Sequence, residues 1–391
     1  MINVEAAIAI LKENEVNLRS KKITVRTALG HVLAEDVLSP IDMPSFDQSA
    51  MDGYAFNFQA EIASYQVIDE VAAGSSNNPK LKIGEGVRIF TGAMVPDDAN
   101  IVVQQEWIKR EDNLATITES VQIGRNIRLK GEQIKAGSIA LEKGTEMTPA
   151  GIGFLTGLGI VEINVIATPK ISLITTGNEL VKAGNELKAG QIYESNSAML
   201  ATALEQFDFH DFSVDTVSDI YELTKLTIQA AIHESDVVIL TGGISVGDYD
   251  FVGKALQELE VEQLFYKINQ KPGKPIYVGK KGNTLIVALP GNPAAALTCF
   301  YIYVLPALQQ MMGKGFNGLE KVNLPMGEAY TKKGTRAEFL KAKIEDGQLF
   351  VLGMQSSAML RSFAKADALV YIPATTASVA KSDLVTTYKL I

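Results

Sequence analysis

Scarcity bounds this chain before any motif does. One cysteine, Cys299, stands among 391 residues, so there is no intramolecular disulfide and no multi-cysteine zinc or iron–sulfur site. The three histidines, His31, His210 and His233, lie too far apart in sequence to suggest a histidine-rich metal centre. Basic side chains are outnumbered: 36 Lys and Arg against 45 Asp and Glu give a net charge of −9, with a pI near 5.1. This argues against a general nucleic-acid or anionic-membrane binder, which neutralises phosphates with surplus Lys and Arg. It leaves room for a local basic pocket. No apolar run approaches the roughly 18–20 residues that span a bilayer. The opening MINVEAAIAILKENEV carries Glu5 and Glu13 without a basic start, so it reads as an amphipathic helix and not as a signal peptide. The expectation is a soluble, cytoplasmic, reduced protein with neither nucleic acid nor membrane as partner. What the chain has in plenty is ordinary globular composition, 47% hydrophobic and 21% charged. Its length suits two to four domains of about 100–200 residues.

The texture changes along the chain. Segments 1–44 and 141–168 read as one discontinuous domain, the second holding a short helix with Pro149 in its first turn. Between them, 45–140 is a β-rich insertion of short strands broken by Gly, Pro and Asn. Residues 169–314 alternate buried strands (ISLITTG, DVVILTGG) with helices, which predicts a doubly wound α/β domain. Ser195 or Asn196 is expected to cap the helix SNSAMLATALEQF, and Leu223, Leu226 and Ala230 share one face of YELTKLTIQAAIHES. Residues 318–391 return to short strands and suggest a small β-barrel or sheet. The fold class is therefore α/β, multidomain.

GISVG at 243–247 matches a serine-hydrolase nucleophile elbow, yet that class places its histidine after the serine, and all three histidines precede Ser245. Gly242, Gly243 and Gly247 offer instead a loop whose backbone approaches a phosphate at a helix N-terminus. A plain turn capped by Asp248 or Asp250 stays open beside it. ALPGNPAAA ends one strand and starts a helix, with Asn292 as cap and Pro293 in the first turn. NQKPGKPIYVG sets Lys271 and Lys274 around a Pro-Gly turn, and TTGNELV ends a strand near Glu179. Each alone is capping chemistry or solvated charge. All four lie at or beside strand ends, where open α/β sheets bind ligands. Together they describe an anion-binding crevice for a phosphorylated or adenylylated molecule, with a divalent cation held by oxygen ligands. Two further loops stand outside it. DMPSFDQSAMDGYAF strings Asp42, Asp47 and Asp52 among apolar residues, and RNIRLKGEQIKAG is basic and Gly-punctuated.

Eight segments in one order, PSFDQSAMDGYAF, GEGVRIFTGAMVP, GRNIRLKGEQIKAG, TTGNELV, GQIYESN, LTGGISVGDYDF, KPGKP and LPGNPAAAL, resemble the molybdopterin molybdenumtransferases, MoeA and the gephyrin E domain. The resemblance covers nearly the whole chain. It implies the four regions above, with 169–314 as the molybdopterin-binding domain and 318–391 as a β-barrel. It also implies an elongated homodimer whose site is shared between two subunits. The implied reaction inserts molybdate into the dithiolene of adenylylated molybdopterin, with Mg2+, and releases AMP. Implied protein partners are the upstream molybdopterin adenylyltransferase and recipient molybdoenzymes.

Carried over by position, the catalytic set is Asp52, Thr91, Glu179, Asp250, Lys271 and Lys274. The substrate-binding set is Arg128, Ser195, Asn196, Gly242, Gly243, Ser245, Gly247, Pro290, Gly291, Asn292 and Pro293. Molybdate falls to Lys271, Lys274, Arg336 and Ser357, and the metal to Asp52, Glu179 and Asp250. Three positions depart from the family: Gln133 stands for an acid, Ser218 precedes Asp219 where two acids are common, and Asn178 replaces an Asp. Two other readings share these residues: the preceding adenylylation of molybdopterin, and a non-catalytic scaffold that binds the cofactor.

Overall fold

Strands that read as buried on both faces divide their side chains between two cores by simple alternation. In the computed structural model, which describes residues 1–244 and 251–390, the chain forms two compact units, 22–165 and 1–21 with 166–391. Each is taken by itself.

The larger unit opens with helix α1 (Val4–Glu13). Asn3 caps it by accepting from the Ala6 amide at 2.7 Å, and Val4, Ala7 and Leu11 form its buried stripe. In the 22–165 unit a six-stranded sheet runs through β1 (Gly53–Phe56), β2 (Ser64–Val71), β3 (Glu85–Ile89), β4 (Ile101–Gln104), β5 (Ile108–Glu111) and β6 (Leu114–Ile117). Its spatial order is β4-β1-β3-β2-β6-β5. Ala55, Val87 and Val102 face one core and Tyr54, Phe56 and Val103 the other. A further core of Val25, Leu33, Met147, Leu155 and Val165 joins the stretch before this sheet to the stretch after it. That core includes helix α2 (Pro149–Gly157), whose N-cap Thr148 accepts from Gly151 N at 3.1 Å.

The α/β part continues the larger unit through β7 (Ile171–Thr176), α3 (Asn196–Gln206), β8 (Phe212–Val217), α4 (Tyr221–Glu234), β9 (Val237–Thr241) and α5 (Phe251–Glu258). It then runs through β10 (Glu262–Tyr266), β11 (Gln270–Lys271), β12 (Tyr277–Lys281) and β13 (Thr284–Leu289) to the long helix α6 (293–311). The sheet order is β8-β7-β9-β13-β12-β10; the first four strands are parallel, and β12 and β10 add antiparallel. Ile171, Leu173, Val237 and Ile239 face the core that holds α1 and α6, while Ile174, Val238 and Leu240 face that of α4 and α5. Its last strands are β14 (Lys321–Pro325), β15 (Ala337–Glu345), β16 (Gln348–Val351), β17 (Ala368–Ile372) and β18 (Leu384–Lys389). They form a sheet of order β11-β15-β17-β18-β14, with β16 paired to β15.

Three expectations change. Helix α1 packs into the α/β core, so residues 1–21 part from 22–44, with which the sequence grouped them. Helix α4 buries Thr224, Ile228 and Ala231 and leaves Leu223, Leu226 and Ala230 exposed. The two stripes lie side by side at helical spacing, and packing against α5 and the sheet selects the less apolar one. Helix α6 is 19 residues long and, by length and composition, apolar enough to cross a membrane; 89% of its most apolar 18-residue stretch is buried in the core.

Candidate functional site

Strands β7, β9 and β13 end at Thr176, Thr241 and Leu289, and the turns that follow bring the glycine loops together. Gly242 has φ +92°, and a Cβ there would lie 2.3 Å from the Thr176 carbonyl oxygen, so only glycine fits. A Cβ on Gly291 would sit 3.6 Å from the Gly242 Cα, so the two loops run backbone to backbone.

Asn196, the first residue of α3, ties them: its Nδ2 donates to Thr241 Oγ1 at 2.8 Å and to the Gly291 carbonyl at 2.9 Å. Thr241 Oγ1 in turn donates to the Pro290 carbonyl at 3.4 Å. Asn196 Oδ1 and Thr176 Oγ1 are buried with no hydrogen-bond partner among the described residues. A buried acceptor left open in this way is a place for a ligand donor. Because Asn196 faces inward, the expected capping changes. Ser195 holds the N-cap position without a side-chain bond, and Glu194 does the work, accepting from Ser197 N at 3.0 Å and from the Ser197 hydroxyl.

Asn292 also caps by position only. Its Nδ2 donates to Ser357 Oγ at 3.0 Å, and the Ala295 amide donates to the Ser357 carbonyl at 3.1 Å. Pro293 opens α6, as its missing N–H allows. Ser357 thus sits at the N-terminus of α6. Buried Lys341 supports its segment by donating to the carbonyls of Met354, Ser356 and Met359 at 3.0, 3.4 and 3.2 Å. Burial holds the Lys341 ammonium below the usual lysine range.

The Pro-Gly turn is anchored from beneath. Gln270 is fully buried; its Nε2 donates to the Pro272 carbonyl at 2.9 Å, and its Oε1 accepts from the Tyr303 hydroxyl. Gly273, at φ +87°, packs against Cys299, which is buried as the sequence indicated, with its thiol pushed up by desolvation. Lys271 and Lys274 are exposed on this turn. Lys271 Nζ lies 3.4 Å from Glu338 Oε1, while Lys274 makes no ion pair among the described residues. Half-buried Arg336 donates to the Gln270 carbonyl at 3.3 Å. The structure therefore joins Asn196, Gly242, Gly291, Asn292 and Ser357 in one network and Lys271 with Arg336 in another.

Glu179 is exposed beside Gly177. One residue that departs from the family pattern, Asn178, lies next to it and pairs with Asp219, the acid that follows Ser218: the Asn178 amide donates to Asp219 Oδ2 at 3.2 Å and the Asp219 amide to Asn178 Oδ1 at 3.0 Å. An Asp at 178 would keep both bonds but set two carboxylates against each other; Asn avoids that repulsion. Ser245, Gly247 and Asp250 lie outside the described residues.

Asp52 and Thr91 belong to the 22–165 unit. Thr91 donates its amide and its hydroxyl to Asp52 Oδ1, each at 2.7 Å. The amide bond first, then the hydroxyl, hold the Asp52 carboxyl below the usual carboxylate range. In the same unit Arg128 and Gln133 line a cavity of about 420 Å3 with Asp42 and Glu132. The neutral Gln133 thus leaves two acids there. Among the described residues no group of three His, Cys, Asp or Glu gathers to hold a metal ion.

Sequence reasoning missed Glu338, Gln270, Tyr330 and Lys341. The available signal was two charged residues, Glu338 and Lys341, inside the apolar first half of β15, AEFLKA.

Comparison with known proteins agrees with this layout. The profile of the MoeA N-terminal region (domains I and II) matches residues 2–159, that of a probable molybdopterin binding domain matches 172–310, and that of the MoeA C-terminal region (domain IV) matches 323–390. A molybdopterin molybdenumtransferase of Haemophilus influenzae is 32% identical over 397 aligned positions, covering 98% of this chain and 96% of its own. One from Staphylococcus epidermidis is 32% identical over 383, covering 95% and 91%. Two crystal structures of the molybdopterin biosynthesis MoeA protein of Pyrococcus horikoshii superpose with TM-scores of 0.84 and 0.80 at 30% identity, over 100% of this chain and 99–100% of theirs. From its first helix to its last strand, this chain belongs to the MoeA family.

Proposed function

We propose that the chain is a molybdopterin molybdenumtransferase, inserting molybdenum from molybdate into adenylylated molybdopterin in molybdenum cofactor biosynthesis and releasing AMP. The observation that carries this reading is the stitched crevice. Asn196 binds the loops after β9 and β13 into one surface, and Ser357 is docked by Asn292 on the N-terminus of α6.

That surface suits the two substrates differently. Close-running glycine backbones approach a phosphate without side-chain bulk, and the N-terminus of a 19-residue helix adds the positive end of its dipole. The open Oδ1 of Asn196 can accept from a pterin or nucleotide N–H. Lys271 and Lys274, on a turn whose base is fixed by buried Gln270, and Arg336, which bonds the Gln270 carbonyl, supply the cations that a tetrahedral oxyanion needs. Asp52 stays ionised at neutral pH and, with both Thr91 bonds on Oδ1, has no hydrogen bond on Oδ2 among the described residues, which suits it to orient a substrate group.

Mg2+ is usually held by carboxylates together with substrate phosphates in place of an all-protein cage. Glu179, Asp250 and Asp52 are the residues we assign to it. When bound, the ion neutralises phosphate charge at the adenylyl bond. The site is completed in a homodimer, with Asp52 and Thr91 supplied by the second subunit.

The test is direct. Purified protein mixed with adenylylated molybdopterin, molybdate and Mg2+ should release AMP in step with molybdate consumption. A product that requires ATP would move the activity to the preceding adenylylation. Tight pterin binding without AMP would leave a scaffold.

A further inference from the structure

Register puts two charged residues side by side where the last sheet meets the Pro-Gly turn. Strand β11 pairs parallel with β15, Gln270 opposite Ala337 and Lys271 opposite Glu338. The Ala337 amide donates to the Asn269 carbonyl at 3.1 Å, so the register is held from both sides. Glu338 is only 3% exposed, and a carboxylate so deeply buried needs partners. Among the described residues it has two: Lys271 Nζ lies 3.4 Å from Oε1, and the Tyr330 hydroxyl donates to Oε2 at 2.7 Å. The Lys271 side chain remains 46% exposed, so part of its ammonium faces solvent while the rest is engaged by the carboxylate.

We propose that Glu338 is a positioning residue for the oxyanion substrate: it holds the Lys271 ammonium in place and, as a fixed negative charge behind it, limits how tightly a dianion binds. The inference rests on the transferase reading above, in which Lys271 contacts molybdate. Its physical content is a balance. An incoming dianion gains the exposed side of Lys271 but meets the field of a carboxylate that already shares that cation. Tyr330 sets the balance, because a hydroxyl hydrogen bond to Oε2 spreads the carboxylate charge and loosens its hold on the lysine. A site of this kind trades affinity for release.

The experiment measures molybdate alone binding to the full-length protein by titration calorimetry, at fixed ionic strength and without pterin. Glu338→Gln keeps the shape and an acceptor for Lys271 while removing the charge. It should bind molybdate about tenfold more tightly, the order expected for deleting one like charge near a dianion. Tyr330→Phe concentrates the carboxylate on Lys271 and should bind several-fold more weakly. A merely structural role would not move the two variants in opposite directions. Affinity unchanged within twofold in folded Glu338→Gln overturns the proposal; should that variant not fold, unchanged affinity in Tyr330→Phe does so. Wild type and variants that all fail to bind molybdate would remove the oxyanion site, and this proposal with it. Binding by wild type with unchanged variants would leave the transferase reading standing and sink only the role of Glu338.

Discussion

Gly273→Ala tests whether the turn carrying Lys271 and Lys274 is fixed by its packing. The added Cβ would stand 2.4 Å from Cys299 Sγ and 2.8 Å from Gln270 Nε2, against about 3.5–4 Å for ordinary contact. Neither neighbour can swing away: both are fully buried, and Gln270 is held by Pro272 and Tyr303. The left-handed backbone at φ +87° adds about 1–2 kcal/mol for an L-residue, and overpacking adds about 1–3 kcal/mol. The expected loss is about 2–5 kcal/mol. Cys299→Ala alone removes one buried atom, costs about 1 kcal/mol and leaves activity intact. With Sγ gone, the closest clash disappears, so in that background Gly273→Ala should cost about 1–2 kcal/mol less than in the wild type. Urea unfolding of the four proteins, followed by far-ultraviolet circular dichroism, gives the coupling. The single tryptophan, Trp107, lies in the 22–165 unit, so its emission reports on the other part of the chain as a control. Additivity within about 0.5 kcal/mol would refute the packing argument.

Three further outcomes are expected. The Asp52 carboxyl titrates below its ordinary value, so its stabilising effect is complete above the unfolded carboxylate range near pH 4 and is lost as pH falls through the depressed value. Thr91→Val should raise that pKa only part of the way, since the backbone amide is the larger cause; an unshifted carboxyl resonance in an NMR titration would contradict this. Lys274→Ala should weaken molybdate use by roughly one to two orders of magnitude, the loss of one charged hydrogen bond, with little change in pterin binding; a wild-type dependence on molybdate concentration would sink the assignment. In sedimentation at micromolar concentration the 42.2 kDa chain should run as a dimer, and a monomer would count against a shared site.

Much of this protein is written in local pattern. The alternation of the main strands and helices from Ile171 to Glu258, the apolar runs buried on both sheet faces, the Pro-opened helices at Pro149 and Pro293 and the buried Cys299 all follow from residues adjacent in sequence. Periodicity, capping and turn chemistry act over a few residues, so one sequence suffices to read them. The glycine loops at strand ends were legible for the same reason.

Tertiary structure decided what depends on a distant partner. Leu223, Leu226 and Ala230 formed as good a stripe as Thr224, Ile228 and Ala231, and only the surface beneath α4 selected between them. Asn196 reads as a helix cap until Gly291, 95 residues away, takes its amide. Glu338 reads as a strand charge until Lys271, 67 residues earlier, is set opposite it by a two-residue parallel strand. Helix α1 gives its buried stripe from sequence but not the core that receives it. In each case the local pattern fixes what a side chain can do, and the close approach of remote backbone determines which of those options lowers the free energy.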